Sequence, residues 1–320
     1  MKVIAAVDIG GTGIKFGILT SQGEILKKHK RDSQAHLGGP ALMQNVIKGL
    51  EEILDGINSE DVIGIGVGTA GQVDHIKGKI NFASEVIPNY TGTDVKGILE
   101  EKFGYPVFVE NDVNTAILGE MWKGAGNGAD IVLGITVGTG IGGAIILDGK
   151  VFHGATGSAG EFGHLITDYN GPSCTCGGNG CWELYGSSTA LIKFTRELLA
   201  ENKDSLMWKK YIKSLDEVNA KNIFDAAKEG DNLMLQCVEK FSENIATGLV
   251  SLIHIFNPQV IIIGGGVSNE GAYLIDRIDR YVRKRAMPSY LGCLSIKAAS
   301  LGNDAGITGA CKLVVDNLGL

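Results

Sequence analysis

The sequence predicts a two-lobed α/β protein, and three observations carry that prediction. First, strand-like runs alternate with segments of helical periodicity along the whole chain, which is the pattern of layered α/β folds. Second, the opening "AVDIGGTGIKFGIL" from Ala6 returns as "GITVGTGIGGAIIL" from Gly134, about 130 residues later, a duplication at the scale of a domain rather than a short repeat. Third, 320 residues with 44% hydrophobic content can fill two lobes of about 150 residues each. No flexible linker stands between the halves, so the lobes are expected to pack across a cleft.

"KVIAAVDIGGTGIKFGILTSQGEILKKHKR" reads as three short strands. The first two join at Gly10-Gly11-Thr12-Gly13, and the next turn is Ser21-Gln22-Gly23. From Gly39 to Gly56 the apolar residues Leu42, Val46, Leu50, Ile53 and Leu54 recur at helical spacing. "VIGIGVGTAGQVD" is a strand running into a glycine-rich loop, Thr93 to Phe103 a helix, "PVFVEND" a strand with a polar end, and Val113 to Trp122 a helix. "DIVLGITVGTGIGGAIILDGKVFHG" again gives three strands. Helical periodicity dominates from Ser187 to Asn257, with surface loops expected over the polar stretch Lys203 to Asn219. "NPQVIIIGGGVS" is a buried strand with a glycine loop. Helices from Glu270 to Arg285 and from Ala305 to Asn317 flank a last strand around Leu294 to Ala298.

Composition narrows the function. Net charge is -7, which argues against a nucleic-acid surface. No run approaches the ~20 apolar residues of a membrane span. The N-terminus lacks a signal peptide's apolar stretch, so a cytoplasmic protein is expected. In that compartment clustered cysteines bind metal more often than they form disulfides. Three of the six cysteines crowd into "CTCGGNGC", while Cys237, Cys293 and Cys311 read as small core residues. Glycine, at 47 residues, is about twice its usual ~7% and marks particular loops.

Two of those loops suit phosphate. Gly10, Gly11, Thr12 and Gly13 leave backbone N–H groups uncovered at a hairpin turn, an anion-binding nest. Thr12 adds a hydroxyl, Lys15 a positive charge, and Asp8 a carboxylate able to hold Mg2+ directly or through water. Gly138, Thr139, Gly140 and Gly142 offer the same resources without the acid. The bland alternative for each is a tight turn with no ligand; two matching loops in duplicated halves favour phosphate. Gly265 and Gly266, after a buried strand, suit close approach by a nucleoside. Glu110, Asn111 and Asp112 stand where a strand stops and a helix starts, where ligands collect in open α/β sheets. Asp112 is either a helix N-cap or, beside two phosphate loops, the base that accepts a proton from an attacking hydroxyl.

The combination of "DIGGTGIK", "VGTAGQVD", "VENDVNTAILGE", "GSAGEFGHL", "CTCGGNGCWE", "IIIGGGVS" and "LGNDAGITGA" resembles the ROK family of sugar kinases, over essentially the whole chain, and within it the bacterial glucokinases. The resemblance implies a two-lobed actin-like (ribonuclease-H-like) ATPase fold with duplicated βββαβα halves. It implies a small lobe of residues 1–117 joined by the C-terminal helix at about 305–320, and a large lobe of 118–304 with a zinc knot. It implies ATP-dependent phosphorylation of a hexose, glucose foremost, with Asp112 as catalytic base and Asn111 as its sugar-binding neighbour. Glu161, His164 and Glu183 would meet sugar hydroxyls, and Gly71, Ser84 and Gly140 would also contact sugar. His164, Cys174, Cys176 and Cys181 would hold a structural Zn2+, and the turns from Ala6 to Gly13 and from Thr139 to Ile146 would hold ATP. The zinc would orient three sugar ligands at once, and its loss would spare the glycine loops as parts built elsewhere. Homodimers or homotetramers are implied.

The sequence departs from the family pattern at Ala70, where many members have proline, and at Tyr90, where many have tryptophan. Both bear on which sugar is used: N-acetylmannosamine, fructose, allose and β-glucosides are the alternatives. Repressors of the same family carry an N-terminal helix-turn-helix. Here the first strand begins at Val3, so no DNA-binding domain is expected. A non-sugar ATPase would leave Glu161 and Glu183 without a role.

Overall fold

The computed structural model describes residues 1–83 and 87–320. Ser84, an expected sugar contact, lies outside the described residues. The chain opens with β1 (Val3–Ile9), β2 (Gly13–Thr20), β3 (Ile25–Asp32) and α1 (Gly39–Leu54). Then come β4 (Val62–Thr69), a small hairpin of β5 (Gln72–Asp74) and β6 (Lys79–Phe82), α2 (Val95–Phe103), β7 (Val107–Asn111) and α3 (Asp112–Lys123). The second half begins with β8 (Ile131–Val137), β9 (Ile141–Leu147) and β10 (Lys150–Val151). Four helices follow: α4 (Glu183–Gly186), α5 (Ser188–Glu201), α6 (Ala220–Lys228) and α7 (Asn232–Phe256). β11 (Val260–Gly264), α8 (Ala272–Arg285), β12 (Ser295–Ala298) and α9 (Ala305–Leu318) complete it.

The two five-stranded sheets have the orders β3-β2-β1-β4-β7 and β10-β9-β8-β11-β12. Setting the β5–β6 hairpin aside, each order runs third, second, first, fourth, fifth within its half. The duplication seen in the sequence is therefore a duplication of topology. The hairpin was not foreseen, because three-residue and four-residue strands are too short to show a period.

The described residues group into two compact units. One comprises Met1–Gly134, Ala144–Gly160 and Ala299–Leu320; the other comprises Ile135–Gly143 and Glu161–Ala298. In the first unit β1 is buried on both faces, which is why it reads as a nearly continuous apolar run. Val3, Ala5, Val7 and Ile9 join Leu42, Val46 and Leu50 of α1 and Val95 and Leu99 of α2 in one core. Ile4 and Ala6 point the other way, into Ile307, Ala310 and Val314 of α9. The α3–α9 crossing is very close: a Cβ added at Gly309 would lie 1.7 Å from the Thr115 carbonyl oxygen. Gly309→Ala should therefore force these helices apart. Alanine's helix propensity returns only about 1 kcal/mol, against the ~1–3 kcal/mol of overpacking, so a net loss measurable by denaturant unfolding is expected. Unchanged stability would mean the crossing has slack.

In the second unit Trp182 is fully buried, and its Nε1 donates to the Asn244 carbonyl at 2.8 Å. Gly248 of α7 lets that helix lie against the indole, since a Cβ there would fall 2.2 Å from the ring. One expectation is refined here and one corrected. The stretch Lys203–Asn219 does carry surface loops, but it also holds a π-helical turn, Met207–Tyr211, and buries Met207, Ile212 and Val218. Their spacing of five and six residues matches neither the helical nor the strand period, which hid them. Cys293 is exposed, not a core residue, whereas Cys237 and Cys311 are buried as expected. Among the described residues no helix is long and apolar enough to cross a membrane.

Candidate functional site

In the first unit the β1–β2 turn closes by a Gly10 N–H bond to the Gly13 carbonyl at 3.0 Å. Gly11 and Thr12 are exposed at its tip, and nothing lies within 4 Å of where a Gly11 Cβ would be. The turn thus presents bare backbone. Asp8 faces Lys15 directly across the antiparallel pair, and Lys15 Nζ sits 3.0 Å from Asp8 Oδ2. A Cβ at Gly306 would fall 2.4 Å from Asp8 Cγ, so the start of α9 closes over the carboxylate. A helix N-terminus carries partial positive charge, which suits an anion there.

At the β7–α3 corner the two competing readings of Asp112 separate. The cap of α3 is Asn111: its Oδ1 accepts from the Val113 and Asn114 N–H groups, and its backbone is extended (φ -61, ψ 145). Asn111 Nδ2 donates to the Gly71 carbonyl and to Asp112 Oδ1, each at 3.0 Å. Asp112 is the first helical residue, and its Oδ1 shares the Val113 N–H with the cap. Burial, followed by the nearby Asp8 charge, pushes its carboxyl up to about 6. Gly71 has φ +103, and a Cβ would lie 2.8 Å from the Phe82 carbonyl oxygen, so only glycine fits. Tyr90 is fully buried, with its hydroxyl 2.8 Å from Thr69 Oγ1; burial pushes that phenol up to about 12.

The partners of two buried carboxylates here were not foreseen from the sequence. Glu110 is 2% exposed and meets the Asn111 N–H, Asn114 Nδ2 and His153 Nε2. Glu120 is 1% exposed and receives the Ala125, Ser300 and Leu301 N–H groups and the Ser300 hydroxyl, which fixes the loop before α9. For Glu120 the only sequence signal is an acid inside an amphipathic helix.

In the second unit the β8–β9 turn closes by a Gly138 N–H bond to the Gly140 carbonyl at 3.0 Å, and the Ser188 N–H donates to Gly138 at 2.9 Å. Thr139 is exposed at the tip, and Gly142 lies on β9. A Cβ at Gly140 would fall 2.5 Å from Glu183 Oε2. Gly265 has φ +84 and seats against the end of β8, where a Cβ would lie 2.3 Å from the Val137 carbonyl oxygen; Gly266 is unobstructed. The second glycine loop is therefore in contact with Glu183, and the expectation that both loops are built apart from the cysteine knot fails for this one.

Glu161 precedes a 3-10 turn, Phe162–His164, and its carbonyl accepts the His164 N–H at 3.1 Å. The cysteines sit on a tight knuckle, where the Cys174 N–H donates to Gly178 and the Gly177 N–H donates back to Cys174. Gly180 has φ +67, and a Cβ there would collide with the Asp168 carbonyl oxygen at 1.5 Å. One donor atom each from His164, Cys174, Cys176 and Cys181 lies within 4.8 Å of all the others. Cys176 and Cys181 Sγ are 3.5 Å apart, far from the ~2.05 Å of a disulfide. Three thiols and an imidazole gathered so tightly suit a tetrahedral Zn2+ with no open position. His164 turns Nδ1 toward this cluster, 3.7 Å from Cys174 Sγ, and Glu183 Oε1 lies 3.7 Å from the same nitrogen.

Residues 4–317 match the profile of the ROK family. The chain is 36% identical to a glucokinase of Thermotoga maritima, covering 100% of this chain and 99% of that protein. It is 38% identical to a glucokinase of Halalkalibacterium halodurans, over 96% of this chain and 93% of that one. The crystal structure of a ROK family glucokinase from Streptomyces griseus, in complex with glucose and AMPPNP, superposes with a TM-score of 0.81 at 34% identity, covering 97% of this chain and 98% of that one. The duplicated halves are those of the actin-like ATPase fold. Fold, motifs and full-length similarity agree, and the chain belongs to the ROK family.

Proposed function

We propose that this protein is an ATP-dependent hexose kinase that phosphorylates the 6-hydroxyl of glucose. Its glucokinase relatives support the activity. The observation that carries the chemistry is the Asp112 carboxylate, standing just inside the Asn111 cap and raised to about 6 by burial and Asp8. A base with that value is ionised at neutral pH yet basic enough to accept a proton.

The sugar oxygen attacks the γ-phosphorus as the bond to the ADP oxygen breaks, and Asp112 Oδ takes the hydroxyl proton. Asn111, Gly71, Ser84, Gly140, Glu161, His164 and Glu183 are the proposed sugar contacts. The bare turns at Gly10–Gly13 and Gly138–Gly142, with Gly265 and Gly266, offer N–H donors to ATP. Lys15 and Asp8 lie beside the first turn. Mg2+ bound near Asp8 would neutralise developing phosphate charge. Zn2+ on His164, Cys174, Cys176 and Cys181 would be structural. With Nδ1 facing the thiols, His164 Nε2 is the nitrogen left to meet a sugar hydroxyl.

The test is ATP-dependent ADP release over glucose, mannose, N-acetylmannosamine, fructose, allose and cellobiose. The largest kcat/KM is expected on glucose, with glucose 6-phosphate as product. Release unaffected by any sugar would overturn the kinase reading, and dominance of another sugar would reassign the substrate.

A further inference from the structure

The buried carboxylate Glu110 and the imidazole of His153 form a contact that the proposed mechanism does not use. Glu110 occupies the end of β7, one residue before Asn111. Its Oε1 accepts from the Asn111 N–H at 2.8 Å and from Asn114 Nδ2 at 3.0 Å. Its Oε2 lies 2.6 Å from His153 Nε2. At that distance His153 Nε2 and Glu110 Oε2 share a hydrogen bond. His153 is in turn stacked on His75, ring centroids 3.5 Å apart and nearly parallel at 5°. Both imidazoles border a cavity of about 370 Å³, lined also by Phe108, Lys150 and Asp316.

The consequence lies in what Glu110 touches. Asn111 caps α3 and holds both Gly71 and Asp112 Oδ1. A carboxylate buried to 2% exposure must keep its partners or move toward water. Losing the His153 hydrogen bond would leave Oε2 buried and unsatisfied. The easiest relief is a shift of the β7 end, which carries Asn111 and Asp112 with it. We infer that His153 is a positioning residue for phosphoryl transfer, acting through Glu110 to fix the Asn111–Asp112 corner. This rests on the reading of Asp112 as the base.

Four variants test it in the full-length protein: Asp112→Asn, His153→Ala, His153→Gln, and His153→Ala combined with Glu110→Gln. Misplacing a reacting group by about 1 Å can cost ~10²-fold, so His153→Ala should lower kcat at least about tenfold, with KM for ATP within about twofold. Glutamine places an amide N–H near the position of Nε2, and His153→Gln should keep kcat within about threefold of wild type. In the double variant the buried group is neutral, and kcat should recover to within about threefold, a coupling that two independent sites would not show. A wild-type kcat in His153→Ala, or a loss that Glu110→Gln does not repair, would overturn the inference. If His153→Ala does not fold, a loss in His153→Gln as large as tenfold would overturn it equally. Near-normal turnover in Asp112→Asn would instead remove the reading beneath it.

Discussion

Asp112→Asn is expected to lower kcat by at least ~10²-fold, the scale of a general-base contribution, while sugar affinity changes far less. The geometry makes this a clean substitution. The cap of α3 belongs to Asn111, so the helix start depends little on the identity of Asp112. Asp112 Oδ1 accepts from Asn111 Nδ2 and the Val113 N–H, and an asparagine oxygen can accept both. What disappears is the capacity to take a proton. The wild-type pH profile carries a matching signature. Only the ionised carboxylate accepts a proton, so kcat/KM should rise with pH up to about 6 and flatten above it. Stability runs the opposite way. The folded value lies above the ordinary 3.8, so ionisation opposes folding, and stability falls as pH rises from about 4 to about 6. At pH 8 the asparagine variant should unfold no earlier than wild type. Near-normal turnover, or a kcat/KM flat between pH 5 and 8, would leave Asp112 without the role of base.

What the sequence showed and what it hid divide by distance along the chain. The two glycine turns and the His164-to-Glu183 knot are each written within about twenty consecutive residues, so turn chemistry exposed the first and crowded cysteines the second. For the cap of α3 the sequence reading offered only Asp112, although asparagine caps as well and Asn111 stands beside it. The backbone angles of Asn111 decided it. Contacts between distant segments were not legible. Glu110 meets His153 from 43 residues away, and Glu120 meets Ser300 from 180. Nothing in either local stretch marks a buried acid, since burial of a carboxylate depends on donors that only the fold supplies. The contact of Gly140 with Glu183 was hidden for the same reason, and it changes what metal loss should do.

Removing the metal proposed for the cysteine knot should weaken sugar binding much more than nucleotide binding. The knot orders the chain between His164 and Cys181, and Glu183 follows two residues later. Glu183 Oε1 lies 3.5 Å from Cys174 Sγ and 3.7 Å from His164 Nδ1, so its carboxylate depends on the cluster for its position. Without metal, three thiols and an imidazole have no common partner, and His164 Nε2 and Glu183 lose their fixed directions together. The nucleotide side divides in two. The turn at Gly10–Gly13 is closed by its own hydrogen bond and is flanked by the Asp8–Lys15 pair. The turn at Gly138–Gly140 lies against Glu183 and should loosen with it. Nucleotide affinity should therefore fall slightly, and sugar affinity at least about tenfold further, which is ~1.4 kcal/mol in differential binding. Cys176→Ser and chelated wild-type protein should behave alike, because either leaves a tetrahedral metal short of its ligands. Metal content is measured first, and glucose and a non-hydrolysable ATP analogue are then titrated separately. Equal loss of both affinities would make the metal a support for folding alone. Unchanged sugar affinity in a protein verified to be metal-free would show that Glu183 and His164 hold their places without it.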